Sequence, residues 1–567
     1  MKLLLTGANG YIGSNVAKEL HKQGFDIVCV DLDNSHLDKD INFFKANIFD
    51  FEDNLYEELG RPEACLHLAW RDGFNHNSPN HFGDLPGHKK FLSYLIEKGI
   101  KEITVMGTSH EVGYYEGAID ENTACHPKTP YGSAKVELRE YLEEECKKHN
   151  VILKWIRAFY IYSNNDLIGN SIFAKISQAA LKGEKEFPFT TGKNKFDFIQ
   201  MEELVKQIVL ITTQNKETGI INACSGTPIS LGEMVESYIK NNHLDIKLKY
   251  GQFQERADES PCLYGDNTII TRIKHKSEWK ILVTGVRGQL GYDCVRELNE
   301  RGYKNVLGVD IAELDITDEK AVHQLVNEYK PNVIMHNAAW TAVDKAELNL
   351  ELVYKVNVLG PKYLAEASKE VDAKMIQIST DYVFDGLGEK PFEVNDPKDG
   401  LSVYGKSKAE CEDVVTNVLE KHFIVRISWA FGINGNNFVK TMLKLADMGK
   451  TELNIVSDQI GSPTYTYDLS KLLCDMIETD KYGIYHATNE GFCSWAEFAE
   501  YIFKTAKKAV KVNYVTTEEY LKMNPNQARR PLNSRMSKKS LEEAGFKLLP
   551  SWKDAVKHYL AELNKGE

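Results

Sequence analysis

One glycine-rich pattern occurs twice in this chain, at its start and near its middle, and it constrains the fold more than any other feature. Lys2–Gly13 reads Lys-Leu-Leu-Leu-Thr-Gly-Ala-Asn-Gly-Tyr-Ile-Gly, and Lys280–Gly291 repeats it with an offset of 278 residues (291 − 13). Each copy joins a short apolar run, typical of a buried parallel strand, to three spaced glycines and a helical pattern. Such glycines let the backbone turn tightly and approach a pyrophosphate at a helix N-terminus. They are Gly7, Gly10, Gly13, Gly285, Gly288 and Gly291.

The repeat predicts two nucleotide-binding units fused head to tail. Each is expected to be α/β, with a Rossmann-like, doubly wound parallel sheet and a smaller C-terminal substrate-binding lobe. The short charged stretch 273–278 separates them, so we predict one domain over residues 1–275 and a second over residues 278–567.

Composition and charge exclude several classes of partner. The formal net charge is 69 − 82 = −13, which argues against nonspecific binding to nucleic acid or to anionic membranes. The ten cysteines are scattered without a C-x-x-C pair, as in a reduced protein without disulfides or zinc. No apolar run is long enough to span a membrane, and Met1 leads directly into the first strand. We therefore predict a cytoplasmic protein; a homo-oligomer remains open.

Acidic residues at two strand ends predict the cofactor. Asp31 and Asp310 follow the second apolar run of each unit, where a carboxylate can bind the ribose hydroxyls of NAD. Arg287, inside the second glycine loop, could instead meet the 2′-phosphate of NADP, so NADH and NADPH are both predicted, one cofactor per half. Ala338 and Ala339, at the end of another strand, and Asn357, on a helix behind the active site, complete the predicted cofactor contacts.

Each unit carries a tyrosine and a lysine four residues apart, preceded by a strand that ends in hydroxyl residues. A Tyr and a Lys at this spacing share one helix face, and an ammonium beside a phenol favours the phenolate, which makes the hydroxyl a usable acid or base. A hydroxyl from the strand can bind the same substrate oxygen. The predicted catalytic sets are Ser109, Tyr131 and Lys135 in the first unit and Thr380, Tyr404 and Lys408 in the second.

Histidines at positions 67, 76, 81 and 88 raise the question of a metal. Their spacing matches no standard ligand pattern, so we predict a solvated loop and assign no metal site.

The opposing interpretation for Asp31, the predicted ribose carboxylate of the first unit, is an ordinary solvated acid at a strand end.

The first half resembles the extended short-chain dehydrogenase/reductase family of nucleotide-sugar epimerases, dehydratases and 4-ketoreductases. The residues that carry the resemblance are the glycine loop, His67–Ala69, Ser109 and the Tyr131/Lys135 pair. In the 4,6-dehydratases of this family an Asp would stand where this chain has His110. A dehydratase is therefore disfavoured, while a ketoreductase and an epimerase both remain open.

The second half resembles the dTDP-4-dehydrorhamnose reductase family, through Ser-Thr-Asp-Tyr-Val-Phe-Asp-Gly at 379–386, Val-Tyr-Gly-Lys-Ser-Lys at 403–408 and later segments. The resemblance implies NAD(P)H-dependent reduction of the C4 ketone of a dTDP-sugar to dTDP-L-rhamnose, with Tyr404 as the proton donor. Guanidinium groups bind phosphate in a bidentate way and a Trp face packs against rings. The predicted substrate contacts are Trp429, Gln459, Arg530 and Asn533.

Three other interpretations stay open at this stage. The N-terminal half could be catalytically idle, serving as an interaction or stability module. The chain could instead be an NAD(P)-sensing regulator, or one half could be a dehydratase. The intact tyrosine–lysine pair in each half disfavours the first two interpretations.

Overall fold

The computed structural model describes residues 1–164, 171–254, 259–524 and 527–564 of the 567-residue chain. The chain divides into two compact units, Met1–His275 and Lys276–Glu567. The predicted junction, residues 273–278, forms the end of a helix, Thr268–Glu278. None of the described helices is long and apolar enough to cross a membrane.

The first unit is built on a seven-stranded sheet in which every neighbouring pair is parallel. The chain starts in the middle of the sheet and proceeds outward to one edge before it returns to the other, which makes the sheet doubly wound. In spatial order the strands are Gly219–Ala223, Ile152–Ala158, Glu102–Thr108, Ala64–His67, Lys2–Thr6, Asp26–Asp31 and Phe43–Lys45.

Helices cover both faces of this sheet, and each face has its own apolar core. The helices of the unit are Gly13–Lys22, Leu55–Glu58, Asn80–Lys98, Pro130–His149, Ile172–Leu181, Met201–Thr213, Leu231–Asn241 and Thr268–Glu278. A smaller lobe has a separate core around Phe173, Phe196 and Tyr238. Its short strands, with one from the loop after the fifth sheet strand, are Gly117–Ile119, Tyr160–Tyr162, Glu186–Pro188, Lys195–Gln200, Pro228–Ser230, Lys247–Lys249 and Cys262–Gly265.

The second unit repeats this plan with a six-stranded parallel sheet. In spatial order the strands are Asn305–Val309, Lys280–Thr284, Val333–His336, Lys374–Thr380, His422–Ile427 and Gly483–His486. Its helices are Gln289–Arg301, Glu319–Tyr329, Val343–Ala346, Leu350–Tyr354, Gly360–Glu370, Val403–Val418, Phe438–Asp447, Thr466–Ile477, Trp495–Thr505, Thr517–Met523, Lys539–Glu543 and Trp552–Leu563.

The lobe of the second unit has a core rich in aromatic residues, including Phe431, Phe498 and Tyr559. Its short strands are Ala430–Phe431, Glu452–Val456, Ile460–Gly461, Thr464–Tyr465, Cys493–Ser494, Lys511–Val515 and Asn533–Ser534. The predicted fold class, two tandem Rossmann-like units with smaller lobes, is confirmed.

A fully buried ion pair holds the helix that carries Tyr404 and Lys408 against the sheet of the second unit. The Arg426 guanidinium, at the end of the strand His422–Ile427, donates to both carboxylate oxygens of Glu412 on the helix Val403–Val418, at 2.8 and 2.7 Å. Both side chains are 1% exposed. Removing one partner of such a pair leaves an uncompensated buried charge.

We expect Glu412→Gln to lower the free energy of unfolding of the second unit by about 3 kcal/mol, because Arg426 then keeps its charge without a carboxylate. Urea unfolding followed by circular dichroism measures the change. Glu410→Gln, at an exposed position of the same helix, is the control, expected to change the value by less than about 0.5 kcal/mol. Equal midpoints for the two variants would show that the pair contributes nothing.

Candidate active sites

The second unit contains a cavity of about 840 Å³ at the carboxyl ends of its parallel strands. This is where ligands bind in open α/β sheets. The cavity brings together most of the residues predicted from the sequence. Those that line it are Gly285, Gly288, Gly291, Asp310, Ala338, Ala339, Thr380, Tyr404, Lys408 and Trp429.

The glycine loops fit a dinucleotide in both units. Gly7 and Gly285 both have φ of +69°, and a Cβ on either would lie within 2.8 Å of the backbone nitrogen of Ala69 or Ala338. A Cβ on Gly13 or Gly291 would overlap the carbonyl oxygen of the first glycine. Only glycine permits this approach, which leaves the N-terminus of the following helix open to a pyrophosphate.

The helix Val403–Val418 begins at a capped turn that positions Tyr404. The hydroxyl of Ser402 accepts the N–H of Gly405 at 3.0 Å, so the tyrosine lies in the first turn. Lys408 follows one turn later, 2% exposed, and its ammonium donates to the carbonyl oxygen of Ile378 at 2.6 Å. The tyrosine and the lysine therefore line the same cavity.

Burial raises the pKa of Tyr404 above its ordinary value, and a hydrogen bond with Thr380 opposes this only partly. The sequence argument predicted that the lysine would lower this pKa. In the structure the Lys408 ammonium is directed at a backbone carbonyl, and desolvation of the phenolate dominates. The phenol is therefore protonated near neutral pH and suited to donate a proton.

Asn357 lies behind the cavity rather than in its wall. It belongs to a π-helical turn, Lys355–Leu359, a feature often found near functional sites. Its amide donates to the Ser407 hydroxyl at 3.0 Å, and its carbonyl oxygen accepts the N–H of Trp340 at 2.8 Å. Asn357 thus positions the helix Val403–Val418 and the loop after the strand Val333–His336.

Two stacked indoles form one wall of the cavity. Trp429 stacks on Trp495 with ring centroids 3.9 Å apart, and both line the cavity. Trp429 has a φ of +48°, a strained conformation for a residue with a Cβ. Trp495 was not identified from the sequence, because it lies 66 residues away (495 − 429) at the start of a helix of the lobe.

The other predicted substrate residues are placed differently. Gln459 is buried and donates to the Thr517 hydroxyl at 3.1 Å. The amide of Asn533 donates to the carbonyl oxygens of Leu387 and Lys390, so its hydrogen-bonding groups are engaged within the protein. Arg530 lies 3.3 Å from Asp344. None of Gln459, Arg530 and Asn533 is among the residues that line the cavity as the structure describes it.

In the first unit the tyrosine and the lysine are again positioned by a capped helix. The hydroxyl of Thr129 accepts the N–H of Gly132 at 3.2 Å, and Tyr131 lies in the first turn. Lys135 is 2% exposed and donates to the carbonyl oxygen of Met106 at 2.7 Å. Burial raises the pKa of Tyr131 and lowers the pKa of Lys135 to about 7.

Thr108, rather than the predicted Ser109, occupies in the first unit the position that Thr380 occupies in the second. Thr108 ends the strand Glu102–Thr108, and Thr380 ends the strand Lys374–Thr380. Each threonine caps the 3₁₀ turn that follows its strand. In each unit this threonine lowers the pKa of the tyrosine, Thr108 that of Tyr131 and Thr380 that of Tyr404, while burial raises it by more. Ser109 occupies the position of Asp381, one residue beyond. Aligning the two strand ends would have identified Thr108.

The histidines predicted to lie in a solvated loop are largely buried, and that prediction is corrected here. His67, His81 and His88 are each 1% exposed. His67 and His88 share a hydrogen bond of 2.9 Å, Trp70 stacks on His88 with centroids 4.5 Å apart, and the Trp70 indole donates to His81. Their aromatic faces stabilise a cluster that no spacing rule indicated.

This cluster reaches Tyr131 and Lys135, the predicted catalytic pair of the first unit. The Lys135 ammonium lies 3.6 Å from the centroid of Trp70, a cation–π contact. The His76 ring stacks on the Tyr131 ring, and the ring centroids of His76 and His110 lie 4.1 Å apart. His76, Ser109 and His110 line a cavity of about 150 Å³, and burial lowers the pKa of His110 to about 4, so its imidazole is neutral.

Backbone amides hold the predicted ribose carboxylates of both units. Asp31 accepts the N–H groups of Asn9 and Leu32, at 2.9 and 2.7 Å. Asp310 accepts those of Arg287 and Ile311, both at 2.9 Å. Each carboxylate is therefore fixed beside its glycine loop, as binding of a ribose requires.

Comparisons with protein families divide the chain in the same way. Residues 279–565 match the model of the RmlD substrate binding domain. Residues 3–224 match the NAD dependent epimerase/dehydratase family.

Individual relatives each match about half of the chain. A dTDP-4-dehydrorhamnose reductase of Aggregatibacter actinomycetemcomitans is 42% identical over 295 residues, which cover 50% of this chain and 98% of the relative. A dTDP-6-deoxy-L-talose 4-dehydrogenase (NAD(+)) of the same organism is 39% identical over 270 residues, 47% of this chain and 99% of the relative. A solved dTDP-4-dehydrorhamnose reductase of Bacillus anthracis, in complex with NADP, is 41% identical and covers 50% of this chain and 99% of its own, with a TM-score of 0.48.

Asp381 gives the second site a pH-dependent stability. Burial raises the pKa of its carboxyl from 3.8 to about 6, so the folded chain holds this proton more tightly than the unfolded chain. The stabilisation is complete below about pH 4 and is lost as the pH rises through about 6. Asp381→Asn should therefore exceed wild type in stability by about 3 kcal/mol at pH 8, and by much less at pH 4.

Melting temperatures of both proteins between pH 4 and pH 8 measure this difference. Asp399→Asn, at an exposed position of the same segment, serves as the control. A stability difference that does not change with pH would contradict the assignment.

Proposed function

The chain belongs to the family of the RmlD substrate binding domain through residues 279–565, and from this premise we propose that its second unit reduces the C4 ketone of dTDP-4-dehydrorhamnose to dTDP-L-rhamnose. The observation that carries the proposal is the cavity of about 840 Å³ in the second unit. Glycine loop, ribose carboxylate, Thr380, Tyr404 and Lys408 all line it. A relative that matches 295 residues, about the length of this unit, is named dTDP-4-dehydrorhamnose reductase.

The residues of the second unit supply binding and a proton. A bound nicotinamide supplies the hydride to C4 of the sugar. Tyr404, protonated because it is buried, donates its phenolic proton to the carbonyl oxygen as that oxygen becomes an alcohol. Thr380 hydrogen-bonds the same oxygen, and Lys408 holds the ribose and supports the phenol after the proton has left. The indole pair Trp429 and Trp495 offers an apolar wall to the deoxysugar or the thymine.

We further propose that the first unit acts at C4 of a related dTDP-6-deoxysugar, with Thr108, Tyr131 and Lys135 as its catalytic set. The chain is then a bifunctional NAD(P)-dependent sugar-nucleotide oxidoreductase. A relative named dTDP-6-deoxy-L-talose 4-dehydrogenase, which matches 270 residues or about the length of one unit, supports this choice, since 6-deoxy-L-talose and L-rhamnose differ only at C4 and share one 4-keto form. An intact tyrosine–lysine pair, with Lys135 buried and Tyr131 half-buried, argues against an idle module.

Different side chains surround the tyrosine in each unit, and this difference favours a different product at each site. The tyrosine of the first unit faces imidazoles of His76 and His110, whereas Tyr404 meets the Tyr382 ring at 5.6 Å. A 4-keto sugar held in the opposite orientation would receive hydrogen on its other face. The first unit would then form the C4 epimer of the rhamnose product.

Tyrosine variants assayed with dTDP-4-dehydrorhamnose as substrate separate the two sites. We expect Tyr404→Phe to slow rhamnose formation by ~10²-fold or more, because the proton donor is lost, and Tyr131→Phe to spare it. Products are identified by their C4 configuration in NMR spectra. Tyr363→Phe, at a half-buried position of the helix Gly360–Glu370, is the matched control. Wild-type rhamnose formation by Tyr404→Phe would overturn the assignment of the second unit.

The next prediction concerns the hydroxyl of the first unit. Thr108→Val removes both the cap of the 3₁₀ turn and the hydroxyl near Tyr131, so we expect the second C4 product to fall by ~10²-fold. Thr108→Ser keeps the hydroxyl and should retain most of the rate. Ser109→Ala should change it by less than about threefold. Loss of the product in Ser109→Ala, with Thr108→Val active, would restore Ser109 as the catalytic hydroxyl.

A further inference from the structure

One position beside the glycine loop carries a very different residue in each unit. A Cβ on the first glycine of either loop would meet the backbone nitrogen of Ala69 or Ala338, so these two alanines occupy equivalent positions. The next residue is Trp70 in the first unit and Ala339 in the second. Ala339 lines the cavity of the second unit. The first unit therefore has an indole where the second has only a methyl group.

The two faces of the Trp70 indole have different partners. The His88 imidazole stacks on one face, with ring centroids 4.5 Å apart and an interplanar angle of 12°. The Lys135 ammonium lies 3.6 Å from the ring centroid, and at these distances only the opposite face has room for it. Lys135 is 2% exposed. Because a cation over an indole face is attracted most strongly when it is removed from water, this contact favours the charged form of the lysine.

Hydrogen bonds at one edge fix the plane of the indole. Nε1 of Trp70 donates to Nδ1 of His81 at 3.1 Å, and Nε2 of His81 donates to the carbonyl oxygen of Asn75 at 2.8 Å. An indole N–H can only donate and a carbonyl can only accept, so His81 is the neutral tautomer with its proton on Nε2. With this edge held and one face covered by an imidazole, Trp70 cannot turn away from Lys135 without breaking both contacts.

The titratable groups around Lys135 give its charge little support. Burial lowers the pKa of Lys135 to about 7, and the Glu111 carboxylate opposes this only partly. His67 and His88 are neutral because burial lowers the pKa of both, and burial keeps the phenol of Tyr131 protonated. A backbone carbonyl oxygen accepts one N–H of the ammonium at 2.7 Å. The indole therefore acts on a lysine whose charged form is otherwise poorly stabilised.

We propose that Trp70 is a positioning residue of the first unit, whose indole keeps the Lys135 ammonium charged and in place beside Tyr131. This inference rests on the proposed function, which gives Lys135 its part in the reaction. Trp70 acts through the lysine, since only the ammonium can support the phenol after its proton has left. Ala339, at the same position of the second unit, has no ring to offer, so the lysines of the two units are held differently.

The test follows the titration of Lys135 itself, in the full chain without substrate or cofactor. Protein carrying carbon-13 at the ε position of lysine is titrated by NMR between pH 5 and pH 10, and the Lys135 resonance is identified by its absence from Lys135→Met. In wild type this resonance should show the upfield ring-current shift of a group above an indole. Trp70→Leu keeps an apolar side chain without a ring, so the ring-current shift should vanish and the titration midpoint should fall by about one pH unit.

Two further variants sharpen the comparison. Trp70→Phe should lower the midpoint by less than Trp70→Leu, because a benzene face attracts a cation more weakly than an indole. Trp279→Leu is the matched control, since the Lys374 ammonium lies 5.2 Å from the Trp279 ring in the second unit, and Lys135 should titrate in it as in wild type. An unchanged midpoint for Lys135 in Trp70→Leu would overturn the inference.

Rates at the first site separate a positioning role from a structural one. Because the ammonium is the active form, formation of the second C4 product should decline with rising pH, at a midpoint that is lower in Trp70→Leu by the same interval as the Lys135 titration. A fall in rate that is equal at every pH would show a structural role and would overturn the inference. Absence of this product in wild type, with the Lys135 titration shifted as expected, would support the hold on Lys135 and contradict the proposed function of the first unit.

Discussion

The close approach of backbone to backbone in the glycine loops is the constraint on which both halves depend. The first glycine of each loop packs against the end of a neighbouring strand, at Ala69 or Ala338, and the third packs against the first. A methyl group at these places would separate the helix from the sheet. The same contact that closes the core therefore opens the helix N-terminus to a ligand, and stability and binding share one geometry.

The sequence predicted what short-range patterns determine. Apolar runs, glycine spacing and the tyrosine–lysine interval predicted the sheets, the loops and the helix faces that line the cavity. It missed what depends on packing across the sheet. Thr108 was passed over for Ser109 because a one-residue offset decides which hydroxyl ends the strand, and that offset is visible only when the strand and its 3₁₀ turn are both built.

Larger departures arose where distant segments meet. Trp495 joins Trp429 through the packing of the lobe, and the amide of Asn533 is engaged by backbone carbonyls 143 residues or more away. Buried histidines were interpreted as solvated because the sequence does not show that His67, His88 and Trp70 meet. Burial also reversed the expected effect on the tyrosines, since desolvation outweighs a lysine that is directed at a carbonyl oxygen.

The presence of a glycine loop and a tyrosine–lysine pair in each half has a consequence for the chain as a whole. If both proposed activities are present and both draw on one population of cofactor, the reductant consumed at one site is regenerated whenever the other site runs in the oxidative direction. The two C4 alcohols then become thermodynamically linked through their common ketone. Their ratio would follow the free-energy difference between the epimers, whatever the redox state of the surrounding cofactor pool.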